Sequence, residues 1–210
     1  MAHYSRPSPQ SSSPASRTDG GIHAAIGSNM ERPAHQGGRW PNRKSYAAID
    51  LGTNNCRLLI AKPSADGFIV VDAFSRIVRL GEGLAGTGQL SDAAIERAIG
   101  ALTICAEKLK RRHVTLARSV ATEACRRASN GQDFIDRVYR ETGIALDIIS
   151  AQEEARLAVL GCHALLEPGE GPALIFDIGG GSTELVLVDT AGPVPRILRS
   201  EEHTSELQLH

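Results

Sequence analysis

Two short glycine-containing stretches of the chain have the composition of phosphate-binding turns. DLGTNNCRLLI begins at Asp50 and DIGGGSTELVL begins at Asp177, so the copies are offset by 177 minus 50, or 127 residues. In each copy an aspartate follows an apolar run, and glycine, small hydroxyl or amide residues and a second apolar run come next. Successive N–H groups in such a turn form a concavity suited to phosphate oxygens, and glycine lets a ligand approach closely. We therefore expect two strand–turn–strand units that clamp one phosphate chain from both sides.

The candidate phosphate contacts are the glycine, hydroxyl and amide residues of these two turns. They are Gly52, Thr53, Asn54 and Asn55 in the first turn and Gly179, Gly180, Gly181 and Ser182 in the second. Each glycine in regular structure loses about 0.5 to 1 kcal/mol relative to alanine, so an ordinary hairpin would seldom contain three in succession. The glycine run therefore favours a ligand over a simple structural turn.

Apolar periodicity places the two turns among alternating strands and helices. Strands are predicted at 45–50, 56–62 and 68–80, which form an antiparallel meander. Helices are predicted at 92–111 behind Ser91, at 131–142 behind Asn130, and from 151 to about 165. Further strands are predicted at 114–121, 145–149 and 173–176, and the last of these starts a new meander. This alternation predicts an α/β fold with parallel strands and crossover helices.

The helix predicted from residue 151 starts with two neighbouring glutamates of different expected roles. Ser150 and Glu153 have the spacing of a capping box, in which the glutamate reaches back to the backbone N–H of the serine. Glu154 takes no part in the capping box, and from the residues alone it is a first-turn carboxylate favoured by the helix dipole.

Composition excludes several classes of function. The formal net charge is −1 and 41% of residues are hydrophobic, which gives no indication of nucleic-acid binding. No apolar run approaches the roughly 20 residues needed to span a bilayer, so we expect no membrane association. The four cysteines, Cys56, Cys105, Cys125 and Cys162, include no CxxC pair, which favours reduced thiols in a cytoplasm over a zinc site.

The two ends of the chain differ from the part between them. Residues 1–44 are rich in Ser, Pro, Gly and Arg and carry six basic residues against two acidic ones, so we expect a disordered cationic extension of about +4. A wrongly chosen start codon or an organelle transit peptide are alternatives. Residues 199–210 begin RSEEHTSELQ, which looks like the in-frame translation of a common short-read sequencing adapter. We expect this segment to be an artefact, with an ordinary polar tail as the alternative.

Four segments, taken together, resemble a known family. DLGTNNCRLLI, ATEACR from Ala121, SAQEEARL from Ser150 and DIGGGSTEL from Asp177 fall in the order and spacing of the exopolyphosphatase and guanosine pentaphosphate phosphohydrolase family. The resemblance implies an α/β, actin-like ATPase (ribonuclease H-like) fold. It divides the chain into a first domain at 45–157 and the start of a second, truncated domain at 158–198. The family's site lies in the cleft between two such domains, so this chain by itself is expected to be inactive.

The resemblance also implies an activity and roles for individual residues. Family members remove terminal phosphate from inorganic polyphosphate, and some remove the 5′ phosphate of guanosine pentaphosphate, with Mg²⁺. By matching positions, Glu154 is the catalytic base and Arg126 binds phosphate, whereas Asp50, Asp177 and Glu184 help to position the metal. The structural alternatives are turn capping for the two aspartates, a solvent-facing strand residue for Glu184 and a solvated arginine for Arg126. A homodimer is a further family expectation for the whole protein.

The chain departs from the family pattern in its first turn, and two other functions stay open. Family members commonly have serine at the positions of Thr53 and Asn55, which leaves the choice between polyphosphate and guanosine pentaphosphate unsettled. Either turn alone would also suit an ATP-dependent kinase or ATPase of the same fold. A module that binds polyphosphate or an alarmone without turnover is the second alternative.

Overall fold

The computed structural model describes residues 44–65, 67–166, 171–192 and 194–204. Its strands are β1 Ser45–Leu51, β2 Asn55–Ser64, β3 Gly67–Ile77, β4 Val114–Ala121, β5 Asp147–Ile148, β6 Pro172–Ile178, β7 Ser182–Asp189 and β8 Arg196–Thr204. Its helices are α1 Leu84–Thr87, α2 Asp92–Arg111, α3 Glu123–Arg127, α4 Gly131–Thr142 and α5 Ala151–Cys162. The prediction of a disordered extension over 1–44 lies outside the described residues except at Lys44, as does the part of the predicted artefact after residue 204.

The first sheet has five strands in the order β3-β2-β1-β4-β5. β1, β2 and β3 pair antiparallel, whereas β4 and β5 add parallel strands beside β1. Apolar residues of β1 and β2, such as Ile49 and Ile60, pack in one core with Leu102 and Cys105 of α2. The apolar face of α2 therefore covers one face of the sheet. This packing of a helix on a mixed sheet confirms the predicted α/β class.

The second sheet is an antiparallel meander in the order β6-β7-β8. Its core contains Ile175, Val186 and Val188, and it is completed by Ala155 and Val159 from α5. The domain boundary predicted between residues 157 and 158 falls inside α5, whose buried residues belong to this second core.

The two sheets repeat the same hairpin with the same register. Asp50 pairs with Arg57 across β1 and β2, and Asp177 pairs with Glu184 at the equivalent place across β6 and β7. A register shift follows Ile60 in the first meander and Leu187 in the second, again 127 residues apart (187 minus 60). The internal repeat predicted from the sequence is thus present in the backbone pairing.

Local boundaries follow the predictions where short-range signals decide them. α2 and α4 begin and end at the predicted residues, and the Ser91 hydroxyl caps α2 by accepting from the Ala94 N–H at 3.3 Å. α5 ends at Cys162 and continues as one 3-10 turn, His163–Leu165. The strand predicted at 145–149 is shorter, since only Asp147–Ile148 pairs with β4.

Other local predictions are wrong because distant contacts decide them. β3 ends at Ile77, since the next two N–H groups, of Val78 and Arg79, donate to the Asn54 carbonyl in the first turn. Asn130 makes no side-chain cap on α4, because its amide instead bonds both the N–H and the carbonyl of Leu90. Among the described residues, no helix combines the length and the apolarity that crossing a membrane requires.

Candidate functional site

A polar pocket lies between the two repeated turns. Every predicted site residue except Arg126 lines it: Asp50, Gly52, Thr53, Asn54, Asn55, Glu154, Asp177, Gly179, Gly180, Gly181, Ser182 and Glu184. Arg57, Thr122 and Ile178 complete the lining. The equivalent hairpins of the two sheets therefore present their turns, and the carboxylates beside them, to one shared space.

Each turn is closed by the same backbone hydrogen bond. The Gly52 N–H donates to the Asn55 carbonyl at 2.9 Å, and the Gly179 N–H donates to the Ser182 carbonyl at 2.8 Å. The first turn is also held from behind, because Gly81 donates its N–H to the Thr53 carbonyl at 3.0 Å. Both turns thus have defined backbone shapes before any ligand binds.

The turn glycines allow the two turns to approach each other. A Cβ added at Gly180 would lie 2.5 Å from the Asn54 Cβ, and one at Gly181 would collide with the Glu123 carboxyl group. Within the described part of the chain, the glycines with positive φ lie elsewhere, at Gly67, Gly83, Gly88 and Gly143. Gly180 and Gly181 are therefore required by close packing between the repeats, in addition to any approach by a ligand.

The Thr53 hydroxyl group points at a protein partner. Thr53 Oγ1 donates to Glu123 Oε2 at 2.6 Å. A hydroxyl has one hydrogen, so this bond removes Thr53 Oγ1 as a donor to phosphate. Thr53 was expected to contact phosphate through its hydroxyl, and in this structure only its backbone N–H is left to do so.

Glu184 is a buried carboxyl group without a hydrogen-bonding partner. Its residue exposure is 4%, and neither Oε1 nor Oε2 accepts a hydrogen bond within the described part of the chain. Burial, reinforced by the nearby carboxylates Glu154, Glu202 and Asp177, raises the pKa of Glu184 to about 7. The structural alternative of a solvent-facing strand residue does not hold at this position, because alternate residues of β7, Glu184 among them, point into the interior.

Asp50 of the first hairpin is the equivalent of Asp177 in the second, and both line the pocket. Burial raises the pKa of Asp50, Arg57 lowers it, and Asp177 of the other turn raises it again. The two turns therefore bring their aspartates close enough to repel each other, as expected of a site that is completed by a cation.

Glu154 and Arg126 form an ion pair beside the pocket. Arg126 Nη1 donates to Glu154 Oε2 at 3.1 Å and to the Ile149 carbonyl at 2.9 Å. Burial raises the pKa of Glu154, while the Arg126 guanidinium and a hydrogen bond with Thr122 lower it. Arg126, predicted to bind phosphate, is not among the lining residues, and its guanidinium is occupied in holding Glu154.

Glu153 faces away from this arrangement. The Ser150 hydroxyl accepts from the Glu153 N–H at 3.2 Å, which is the first half of the predicted capping box. The reciprocal half is absent, because both Glu153 carboxylate oxygens accept from Arg156, at 2.7 and 2.8 Å. The two adjacent glutamates therefore have separate partners, and only Glu154 lines the pocket.

Several residues of the site were not singled out from the sequence. Arg57 stands at the position that Glu184 holds in the second hairpin, so the repeat itself could have identified it. Thr122 and Glu123 lie inside ATEACR, a segment already noted for its last residue, Arg126.

A third glutamate near the site lies in the segment predicted to be an artefact. Carboxylate oxygens of Glu154, Glu184 and Glu202 lie within 4.8 Å of one another, and Arg126 also pairs with Glu202 at 2.6 Å. Glu202 therefore adds negative charge beside Glu184 and Arg126, while the assignment of residues 199–210 to an artefact stays a prediction.

The carboxylates of the pocket fit a magnesium ion. Asp50, Asp177 and Glu184, the residues predicted to position a metal, line the pocket and supply oxygen atoms, which Mg²⁺ prefers as ligands. The unpartnered oxygens of Glu184 supply a specific reason, since a buried carboxylate without a partner is costly and a divalent cation would satisfy it.

The fold and the pocket together define the class of protein. Three antiparallel strands followed by two parallel ones, with the hairpin repeated in a second sheet, form the actin-like ATPase fold, as the sequence predicted. The two turns come from equivalent hairpins of the repeat, and both line the same pocket.

Comparison with known proteins then gives the family. A model of the Ppx/GppA phosphatase family matches residues 59–200, and the chain belongs to that family. A Haemophilus influenzae protein described as "Putative exopolyphosphatase" is 34% identical over 163 residues, covering 77% of this chain and 49% of that protein.

Solved structures agree with this assignment. The Aquifex aeolicus member of the Ppx/GppA family has a TM-score of 0.66 and 33% identity, over 77% of this chain and 51% of that one. An exopolyphosphatase from Cytophaga hutchinsonii has a TM-score of 0.69 and 29% identity, over 76% of this chain and 50% of that one. The chain therefore spans about half the length of these relatives, and membership of the family supports a phosphohydrolase role.

Proposed function

We propose that the whole protein is a magnesium-dependent phosphohydrolase that removes the terminal phosphate of inorganic polyphosphate, the 5′ phosphate of guanosine pentaphosphate, or both. The observation that carries the proposal is the position of Glu154, which lines the same pocket as both phosphate turns. The names of the relatives support polyphosphate as a substrate.

The proposed mechanism assigns separate tasks to the residues of the pocket. The backbone N–H groups of the two turns hold the phosphate oxygens, and Glu154 accepts a proton from water as the water oxygen attacks the terminal phosphorus. The bond between that phosphorus and the bridging oxygen breaks, which releases phosphate and a chain that is one unit shorter. Magnesium, when bound by the pocket carboxylates, would offset the negative charge of the phosphates.

The local electrostatics suit Glu154 to this task. Burial raises the pKa of Glu154 above its ordinary value, which makes it a better proton acceptor, while the Arg126 guanidinium lowers that pKa and favours the carboxylate form. Its neighbour Glu153 lacks these properties, because Arg156 lowers the Glu153 pKa and the side chain does not line the pocket.

Glu153 therefore provides a matched control for the test. In the whole protein, we expect Glu154→Gln to reduce phosphate release from polyphosphate by about 10²- to 10⁴-fold, the usual contribution of a general base. Triphosphate binding, measured by calorimetry, should change little, and Glu153→Gln should leave both quantities near wild type. Equal losses in the two variants would remove Glu154 as the base.

The choice among functions rests on comparing substrates. Phosphate release is measured with polyphosphate, guanosine pentaphosphate and ATP, each with Mg²⁺ and with EDTA. Faster consumption of ATP would favour a kinase or ATPase of the same fold, and saturable binding without turnover would favour a binding module. Because the relatives are about twice as long, we propose that residues 1–210 alone bind these anions but turn over little substrate.

Assembly and location are further parts of the proposal. All four cysteines are free thiols in the structure, which is consistent with a reducing cytoplasm. We propose a homodimer for the whole protein, which light scattering of purified protein would test.

A further inference from the structure

Glu123 is a buried acidic residue that contacts both phosphate turns. It is 3% exposed and lies on the first turn of α3, directly after the pocket-lining Thr122. Its Oε2 accepts from Thr53 Oγ1 in the first turn at 2.6 Å. The same oxygen is the atom that a Cβ at Gly181, in the second turn, would meet first. One carboxyl group thus lies between two turns that are 127 residues apart in the chain.

Both carboxylate oxygens of the buried Glu123 accept hydrogen bonds. Its second oxygen, Oε1, accepts from Arg127 Nη1 at 2.8 Å, one helical turn further along the chain. A buried carboxylate needs such partners, since an unpaired one is strongly destabilising. Arg127 donates to Glu123 from α3 and carries the opposite charge, and Thr53 donates to Glu123 from the first turn. Glu123 therefore connects the first turn to α3.

The hydrogen bond to Glu123 gives the Thr53 hydroxyl a structural role in place of phosphate binding. With its hydroxyl hydrogen directed at Glu123, Thr53 aligns the turn from Gly52 to Asn55, which lines the pocket. Gly181 packs against the same carboxyl group and lies close to Thr53 Cγ2, where an added Cβ would come within 2.9 Å. The carboxyl group therefore acts as a spacer that sets how closely the turns approach.

We propose that Glu123 is a positioning residue that fixes the separation of the two phosphate turns, through the Thr53 hydroxyl on one side and Gly181 on the other. The inference rests on the proposed function, in that both turns hold one phosphate chain. It explains why threonine and glycine occur at these two positions and predicts energetic coupling between residues 53 and 123.

The test is a double-mutant cycle on the 210-residue chain, with triphosphate and Mg²⁺ as the probe. Thr53→Val keeps the shape of the side chain and removes the donor, and we expect about tenfold weaker binding. Glu123→Gln should weaken binding in the same direction, and the double variant should bind within about twofold of Thr53→Val alone. Losses that multiply in the double variant would overturn the proposal.

Two further variants separate positioning from general stability. Thr53→Ser keeps the donor and should restore binding to within about twofold of wild type. Thr103→Val is the matched control, because the Thr103 hydroxyl bonds only the Ile99 carbonyl of its own helix, at 2.9 Å, away from the pocket. Weakened binding in Thr103→Val, or none in Thr53→Val, would contradict the inference.

A measurement without ligand distinguishes this inference from the proposed function. Amide hydrogen exchange at residues 52–55 should be faster in Thr53→Val and Glu123→Gln than in wild type and Thr53→Ser. If wild type binds no triphosphate, the proposed function fails, and the exchange rates alone decide the role of Glu123. Unchanged exchange in both variants would show that Glu123 does not hold the turn.

Discussion

Arg126 holds Glu154 at the edge of the pocket, with its Nη1 shared between Glu154 Oε2 at 3.1 Å and the Ile149 carbonyl at 2.9 Å. Both side chains are largely buried, with exposures of 23% and 20%. The hydrogen bond to the Ile149 carbonyl holds the guanidinium in place, and the guanidinium in turn favours the charged form of the carboxylate. The pair therefore connects the end of the ATEACR segment to the first turn of α5.

Replacing Arg126 should shift the pH dependence of turnover. Because Arg126 lowers the Glu154 pKa, Arg126→Gln should raise that pKa, and the base form of Glu154 would then require a higher pH. We expect the acid limb of the kcat/KM profile to move to higher pH and the rate at pH 7 to fall by about tenfold or more. An unmoved acid limb with a raised KM alone would instead support direct phosphate binding by Arg126.

Glu184 should make the stability of the fold depend on pH. Its pKa in the folded chain is raised to about 7 from an ordinary value of 4.5, so the folded state holds this proton more tightly than the unfolded state. The contribution is fully present below about pH 4.5 and is lost as pH rises through 7. In urea titrations with EDTA, we expect stability to fall as pH rises from 4.5 to about 7, and Glu184→Gln to remove much of that fall. Glu153→Gln, at an exposed ion pair, is the control.

Magnesium should oppose this loss of stability. A cation at the pocket binds the deprotonated form of Glu184, so Mg²⁺ should raise the melting temperature more at pH 8 than at pH 6. Calorimetry with and without EDTA measures the difference. An equal effect of Mg²⁺ on Glu184→Gln would place the ion elsewhere.

Substitution of the turn glycines should be costly for a reason that is independent of ligand. Gly180→Ala places a methyl group 2.5 Å from the Asn54 Cβ, so the two turns must separate, and we expect lower stability as well as weaker triphosphate binding. Gly100→Ala is the matched control: it lies in α2 with nothing within 4 Å of the added Cβ. It should raise stability by about 0.5 to 1 kcal/mol, and a similar gain in Gly180→Ala would show that the turns do not pack as described.

The parts of the fold predicted correctly from the sequence are those decided by neighbouring residues. The cap at Ser91 and the ends of α2 depend on contacts within a few residues, and the repeat at Asp50 and Asp177 is visible as a pattern. The end of β3 was missed because it depends on the Asn54 carbonyl, which lies more than twenty residues away. In the same way, the bond from Thr53 to Glu123 joins residues 70 positions apart, so no local pattern could have shown that the hydroxyl is occupied.

The residues from Arg199 to Thr204 fit poorly in their strand, β8. β8 pairs Glu202 directly with Glu184 on β7, and like charges opposite each other are destabilising. After Leu198 the strand contains only polar and charged residues, from Arg199 to Thr204, where an alternating apolar face would be expected. We therefore predict that sequencing independently prepared DNA beyond the codon for Leu198 will give codons other than those for RSEEHTSELQLH. The residue opposite Glu184 should then lack a negative charge. Recovery of the same codons would show that Glu202 is native, and its pairing with Arg126 would become part of the site.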